Sequence, residues 1–115
     1  NYRGIGELVD WHTTPSEAWE DASNSDQSIF ALFHTDNQEQ NEMVLEHLKS
    51  DEALQYMRNL IPLRVNISED SGKFVASRFG IKDFPTIAVI DQNGNVQTKQ
   101  QIESHVEIVW SDLNP

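Results

Sequence analysis

The spacing of apolar residues changes in an ordered way along the chain. From Tyr2 to Trp11 the apolar positions Ile5, Leu8, Val9 and Trp11 suggest a loose strand. Thr14-Pro15-Ser16-Glu17 then reads as a capping box with proline at the first helical position, opening a helix through Ala18, Trp19 and Ala22 that Ser23-Asn24-Ser25 ends. Ser28 to His34 (SIFALFH) is continuously apolar, the pattern of a strand buried on both faces. After Thr35 and Asp36 the period becomes helical through Met43, Val44 and Leu48, with Asp36 and Glu39 as a cap signature and a break expected near Ser50. A second helical segment carries Leu54, Met57 and Leu60. Ile61 to Ile67 (IPLRVNI) predicts a strand, Ser71 to Phe79 a short helix stopped by Gly80, and Thr86 to Ile90 (TIAVI) another buried strand. Asn93-Gly94 signals a hairpin into a polar edge strand, Val96 to Gln100. Ser104-His105-Val106-Glu107 looks like a further capping box, opening a last helix with Val106, Val109, Trp110 and Leu113 on one face. Trp19, Phe30, Phe33, Phe74, Phe79 and Trp110 read as core.

The predicted order is β-α-β-α-β-α-β-β-α. Alternation implies parallel strands with right-handed crossovers, and the late hairpin adds an antiparallel edge. The expectation is an α/β fold, a three-layer α/β/α sandwich with a central mixed sheet and helices on both faces. The 115 residues fit a single domain, 1–115, and 37 % hydrophobic residues with three tryptophans suffice for one core.

Charge and cysteine content narrow the chemistry. Nineteen acidic residues against eight basic ones give a net charge of −11, which disfavours nucleic acid and anionic membranes as partners. No apolar run approaches the roughly 20 residues of a membrane helix, so no membrane insertion is expected. The acids are spread over several segments, as on solvated helix faces. There is no cysteine, hence no disulfide, thiolate metal site or cysteine nucleophile. The chain starts at Asn1, as either a mature product after signal removal or a domain cut from a longer protein, and a secreted, periplasmic or lumenal location is expected ahead of a cytoplasmic one. The sequence specifies no oligomeric state.

Three segments resemble the thioredoxin-like superfamily. Phe30-Ala31-Leu32-Phe33-His34-Thr35-Asp36 is similar to the family's second strand and the turn into its active-site helix. Arg64-Val65-Asn66-Ile67 resembles its central strand. Phe79-Gly80-Ile81-Lys82-Asp83-Phe84-Pro85-Thr86 resembles its (Y/F)GI(x)(x)(x)PT signature. The interrupted helix around Ser50 is more like divergent branches, among them small secreted or periplasmic thioredoxin-like proteins and UAS-type adaptor domains. The resemblance implies a cis bond before Pro85 and an outward-facing Phe84 backbone that pairs with an extended peptide. It also places the redox CxxC on Gln38-Glu39-Gln40-Asn41 and a buried acid at Leu32. The two thiols and the acid are absent, so a thiolate attack on a disulfide has no nucleophile.

What the resemblance leaves is a protein- or peptide-binding module. Its expected groove is formed by Thr35, Gln38, Asn41, Asp83, Phe84 and Pro85, with the free N–H groups of a helix start at Gln38 and Asn41 and an apolar patch at Phe84. The alternatives are a structural or adaptor domain acting through acidic helix faces such as Glu42 and Glu46, a non-thiol enzyme using His34 and Asp36 or a metal in that position, and a weak metal binder acting through surface carboxylates. No histidine pair has metal-ligand spacing and no phosphate-binding glycine motif occurs, so no cofactor and no metal site are expected.

Overall fold

Strand β1 (Ile29–His34) is buried at all six positions, as its unbroken apolar run requires. In the computed structural model, which describes residues 8–113, β1 is an inner strand of a four-stranded sheet of order β2-β1-β3-β4. Strand β2 (Ile61–Asn66) runs parallel to β1, from Ile29 opposite Ile61 to His34 opposite Asn66. Strand β3 (Thr86–Ile90) is antiparallel to β1, ending with Phe33 opposite Thr86. Strand β4 (Val96–Gln101) pairs antiparallel with β3, with an irregularity at Val89/Ile90. His12 bridges in parallel to Leu63: its N–H donates to the Pro62 carbonyl at 2.8 Å, and the Arg64 N–H donates back at 2.9 Å. Most of the expected Tyr2–Trp11 strand lies outside the described residues, and residues 8–11 carry no strand.

The side-chain alternation of β1 builds two cores. Phe30 and Leu32 join Val44 and Leu48 of helix α2 (Gln38–Leu48), Ala53 and Met57 of helix α3 (Asp51–Met57), and Trp110 and Leu113. Ile29, Ala31 and Phe33 join Ala18 and Ala22 of helix α1 (Pro15–Ser25) and Ala76 of helix α4 (Asp70–Arg78). The result is a three-layer α/β/α sandwich around a mixed sheet. The break before α3 falls where expected: the Ser50 hydroxyl accepts from the Ala53 N–H at 3.2 Å, capping a new helix.

Other expectations are corrected. Thr14 makes no side-chain cap bond, so the first capping box does not form. Asn37, not Asp36, caps α2, accepting from the Gln40 N–H at 2.9 Å. The β3–β4 connection is not a two-residue Asn-Gly turn. Gly94 alone has a positive φ (87°), and the Asp91 carboxylate holds the loop by accepting from the N–H groups of Asn93 and Asn95, each at 2.9 Å. Those bonds, led by that from Asn95, hold the Asp91 carboxyl below its usual pKa. Phe74 is 69 % exposed rather than core. Trp19 is half-buried, stacked on Phe79 at a centroid distance of 5.5 Å.

The last helix is also absent. His105 adopts a left-handed φ of 66°, and only Trp110–Leu113 forms a helical turn, of the 3-10 type. Val106 and Val109 are exposed, while Ile102, Ile108, Trp110 and Leu113 turn inward. A run with three β-branched residues in four, Val106 to Val109, has little helix preference to resist this. His47 Nε2 meets the Val106 carbonyl at 2.9 Å, and the Tyr56 hydroxyl donates to the Leu113 carbonyl.

Gly72 fixes how closely α4 approaches β2. A Cβ there would lie 1.8 Å from the Asn66 carbonyl oxygen and 2.5 Å from its carbon, both rigid backbone atoms. Gly72→Ala is expected to lower unfolding free energy by about 1–3 kcal/mol in denaturant titrations, the cost of forcing extra volume into a packed site.

Candidate functional site

The parallel strands β1 and β2 end at the same edge of the sheet, the position where α/β folds place ligands. Two loops leave that edge, 35–37 into α2 and 67–69 into α4. Their polar side chains lock them together. Asn66 Nδ2 donates to Asp36 Oδ1 at 2.7 Å, and Asn66 Oδ1 accepts from the Ser68 N–H at 3.0 Å. The Asp36 N–H donates to Ser68 Oγ at 3.0 Å, and the Ile67 N–H to the His34 carbonyl at 2.7 Å.

Thr35 organises the loop into α2. Its hydroxyl accepts from the Asn37 N–H at 3.0 Å and donates to Gln40 Oε1 at 2.9 Å. Its carbonyl meets His34 Nδ1 at 2.9 Å and Asn41 Nδ2 at 3.1 Å. A carbonyl only accepts, so His34 must carry its hydrogen on Nδ1, and Asn41 must turn its amide nitrogen toward Thr35. That leaves His34 Nε2 and Asn41 Oδ1 as free lone-pair acceptors. Both are buried without a partner among the described residues.

Both side chains line a cavity of about 360 Å³ together with Asp36, Arg64, Asn66, Glu69 and Gly72. His34 is 5 % exposed. Burial is the main cause that lowers its pKa below the usual 6.5. The Thr35 carbonyl opposes this, the nearby Arg64 charge adds to it, and Asp36 and Glu69 oppose it. At neutral pH the imidazole is therefore uncharged. Among the described residues no three His, Cys, Asp or Glu side chains come together to hold a metal ion. Asp36 is engaged by Asn66 rather than directed at His34 in an ion pair.

Of the residues expected from sequence to form a peptide groove, only Asn41 lines this cavity. The register ends at Phe33 opposite Thr86, so the next step along the two strands sets the turn after His34 beside Pro85. The Phe84–Pro85 peptide is cis. Helix α4 ends in a Schellman motif that delivers this segment: the Ile81 N–H donates to the Ala76 carbonyl at 2.9 Å and the Gly80 N–H to the Ser77 carbonyl at 3.1 Å, with Gly80 at φ 69°. Pro85 is buried, its carbonyl accepting from Ile102 at 2.9 Å. Phe84 is half-buried against the α1–α4 core rather than fully exposed. Its backbone N–H and C=O make no hydrogen bond among the described residues. Gln38 and Asp83 are exposed. Thr35 and Asn41 are committed to holding the loop through their bonds to each other and to Gln40.

Sequence reading missed Arg64, Asn66, Ser68 and Glu69 as parts of the same edge. Their one signal was polar residues at the end of a strand and directly after it, which does not reveal the partner of Asn66 30 residues earlier.

No family model matches the sequence, and no curated protein matches it. Solved structures do share its fold. The oxidoreductase DsbH superposes with a TM-score of 0.70 at 15 % identity, over 83 % of this chain and 74 % of that one. A thioredoxin from Thermus thermophilus gives 0.69 at 16 % identity, over 83 % and 76 %. A disulphide isomerase from Xylella fastidiosa Temecula1 gives 0.58 at 9 % identity, over 73 % and 68 %. The chain has the thioredoxin fold. With no cysteine in the sequence it lacks the sulfur that thiol–disulfide exchange requires.

His34 gives the site a pH signature. Its pKa is lower folded than unfolded, so the unfolded state binds more protons as pH falls below 6.5. Stability is expected to be unaffected by this group above that value, to decline as pH falls from 6.5 through the folded pKa, and to level off below it. His34→Gln should remove that part of the slope in urea unfolding measured from pH 7.5 downward. An unchanged profile in the variant would contradict a buried neutral imidazole.

Proposed function

We propose that the chain is a redox-inactive binding domain that holds an extended protein segment against the start of α2 and the Asp83-Phe84-Pro85 turn. The observation that carries this reading is the unpaired backbone of Phe84. A peptide laid alongside it gains a donor and an acceptor in the manner of an added strand. The N–H groups of Gln38 and Glu39 in the first turn of α2 have no partner among the described residues, and Gln38 is exposed, able to bond a peptide carbonyl or carboxylate. Thr35 and Asn41 serve by holding this helix start in place, and Phe84 offers the exposed part of its ring as an apolar contact. The net charge of −11 favours a partner segment with basic residues.

Peptides selected from a displayed library against the wild-type domain provide the test. Phe84→Ala and Gln38→Ala should each weaken the selected peptides by about five- to thirtyfold, a loss of roughly 1–2 kcal/mol. Reversal of Glu42 and Glu46 to lysine should leave them bound. The opposite result, insensitivity at Phe84 with loss on charge reversal, would replace the groove with the acidic face of α2 as the interaction surface. Insulin reduction should stay at background throughout.

A further inference from the structure

The cavity between the two cross-linked loops makes a demand that the peptide groove does not meet. Gln38, Asp83, Phe84 and Pro85 line no part of it. Two of its lining side chains carry the buried polar atoms that lack partners among the described residues, His34 Nε2 and Asn41 Oδ1. Both are acceptors, because the Thr35 carbonyl fixes the histidine tautomer and the amide orientation. An anionic ligand would set acceptor against acceptor and leave both atoms unpaired. Asp36 and Glu69 bring two negative charges to the lining and Arg64 one positive, a balance of −1. The volume of about 360 Å³ is in the range of small-molecule sites.

We propose that this cavity binds a protonated primary amine, which donates to His34 Nε2 and Asn41 Oδ1 while Asp36 and Glu69 supply the countercharge. The chemistry is that of an alkylammonium, whether carried by a free small molecule or by a lysine side chain of a protein. Arg64, set on the same lining, limits the site to one positive charge. Protonation of His34 turns its free lone pair into an N–H donor aimed at the amine, so binding and proton uptake exclude each other. The charged groups that face this equilibrium are Asp36 ahead of α2, Arg64 on β2 and Glu69 ahead of α4.

The test is a nuclear magnetic resonance titration of isotope-labelled protein with butylammonium, butyrate and a lysine-containing peptide capped at both ends. Butylammonium should give saturable shifts at His34, Asn41 and Glu69 in the millimolar range expected for so few atoms, and butyrate should give none there. The amine should also move the His34 titration to lower pH. Asn41→Leu should weaken binding about tenfold, the loss of a charge-assisted hydrogen bond. Glu69 is exposed, so Glu69→Gln preserves the fold, and it should weaken binding by about two- to fivefold. A peptide tighter than butylammonium identifies a protein lysine as the source, and a weaker one a free amine. The proposal is overturned if no saturable shift appears, if butyrate shifts the same residues, or if both variants bind as wild type does. Phe84→Ala should leave the amine titration unchanged, so failure here and failure of the peptide groove are separately visible.

Discussion

Everything at the functional edge depends on a strand with no solvent side. β1 sits between β2 and β3 and under helices on both faces, so its six residues are fixed by burial and by two ladders of backbone hydrogen bonds. Its end cannot move independently of the sheet. His34, the last residue of that strand, is therefore delivered to a defined point, and the turn after it must satisfy its own polar groups locally. The Thr35 carbonyl does so by accepting from two side chains at once. That single acceptor decides where the proton of His34 resides and which way Asn41 faces.

This thioredoxin fold contains no cysteine. In a dithiol enzyme the start of the helix after this strand carries the reacting atoms. Here Gln38-Glu39-Gln40-Asn41 stands there, and two of these residues are consumed in binding Thr35. At the helix start the N–H groups of Gln38 and Glu39 have no partner among the described residues, while Asn37 takes those of Gln40 and, against the expectation from sequence, Asn41. What stands at that position is a polar frame, beside a Phe84 backbone that has no hydrogen-bond partner among the described residues and two cavity-lining side chains whose acceptors, His34 Nε2 and Asn41 Oδ1, likewise lack partners there. Gly72 contributes to that cavity by letting α4 close against the Asn66 backbone.

Most of the fold was legible in the sequence because burial imposes strong patterns. SIFALFH and TIAVI carry the signature of strands enclosed on both faces, and the break at Ser50 is written as a cap. The Phe79–Thr86 segment identified the fold family because its glycine and proline positions constrain the backbone. The errors have a common origin in features set by distant partners. Ser104 to Glu107 satisfies a local helix-start rule, yet β-branched neighbours and the inward pull of Ile108 and Trp110 override it. Phe74 lies on a helix whose core contact is made by Ala76, leaving the larger ring outside. His34 and Asp36 stood out in the sequence as a possible metal pair. Only the fold shows that Asp36 is held by Asn66, 30 residues away, and that the histidine is a buried cavity-lining residue whose Nε2 has no partner among the described residues.

The tautomer of His34 tests this account most directly. A long-range proton–nitrogen correlation spectrum of the labelled protein at neutral pH distinguishes the two ring nitrogens. The account predicts a neutral ring protonated at Nδ1, with Nε2 bare. A ring protonated at Nε2, or a charged ring at that pH, would contradict it, because the Thr35 carbonyl would then not govern the site.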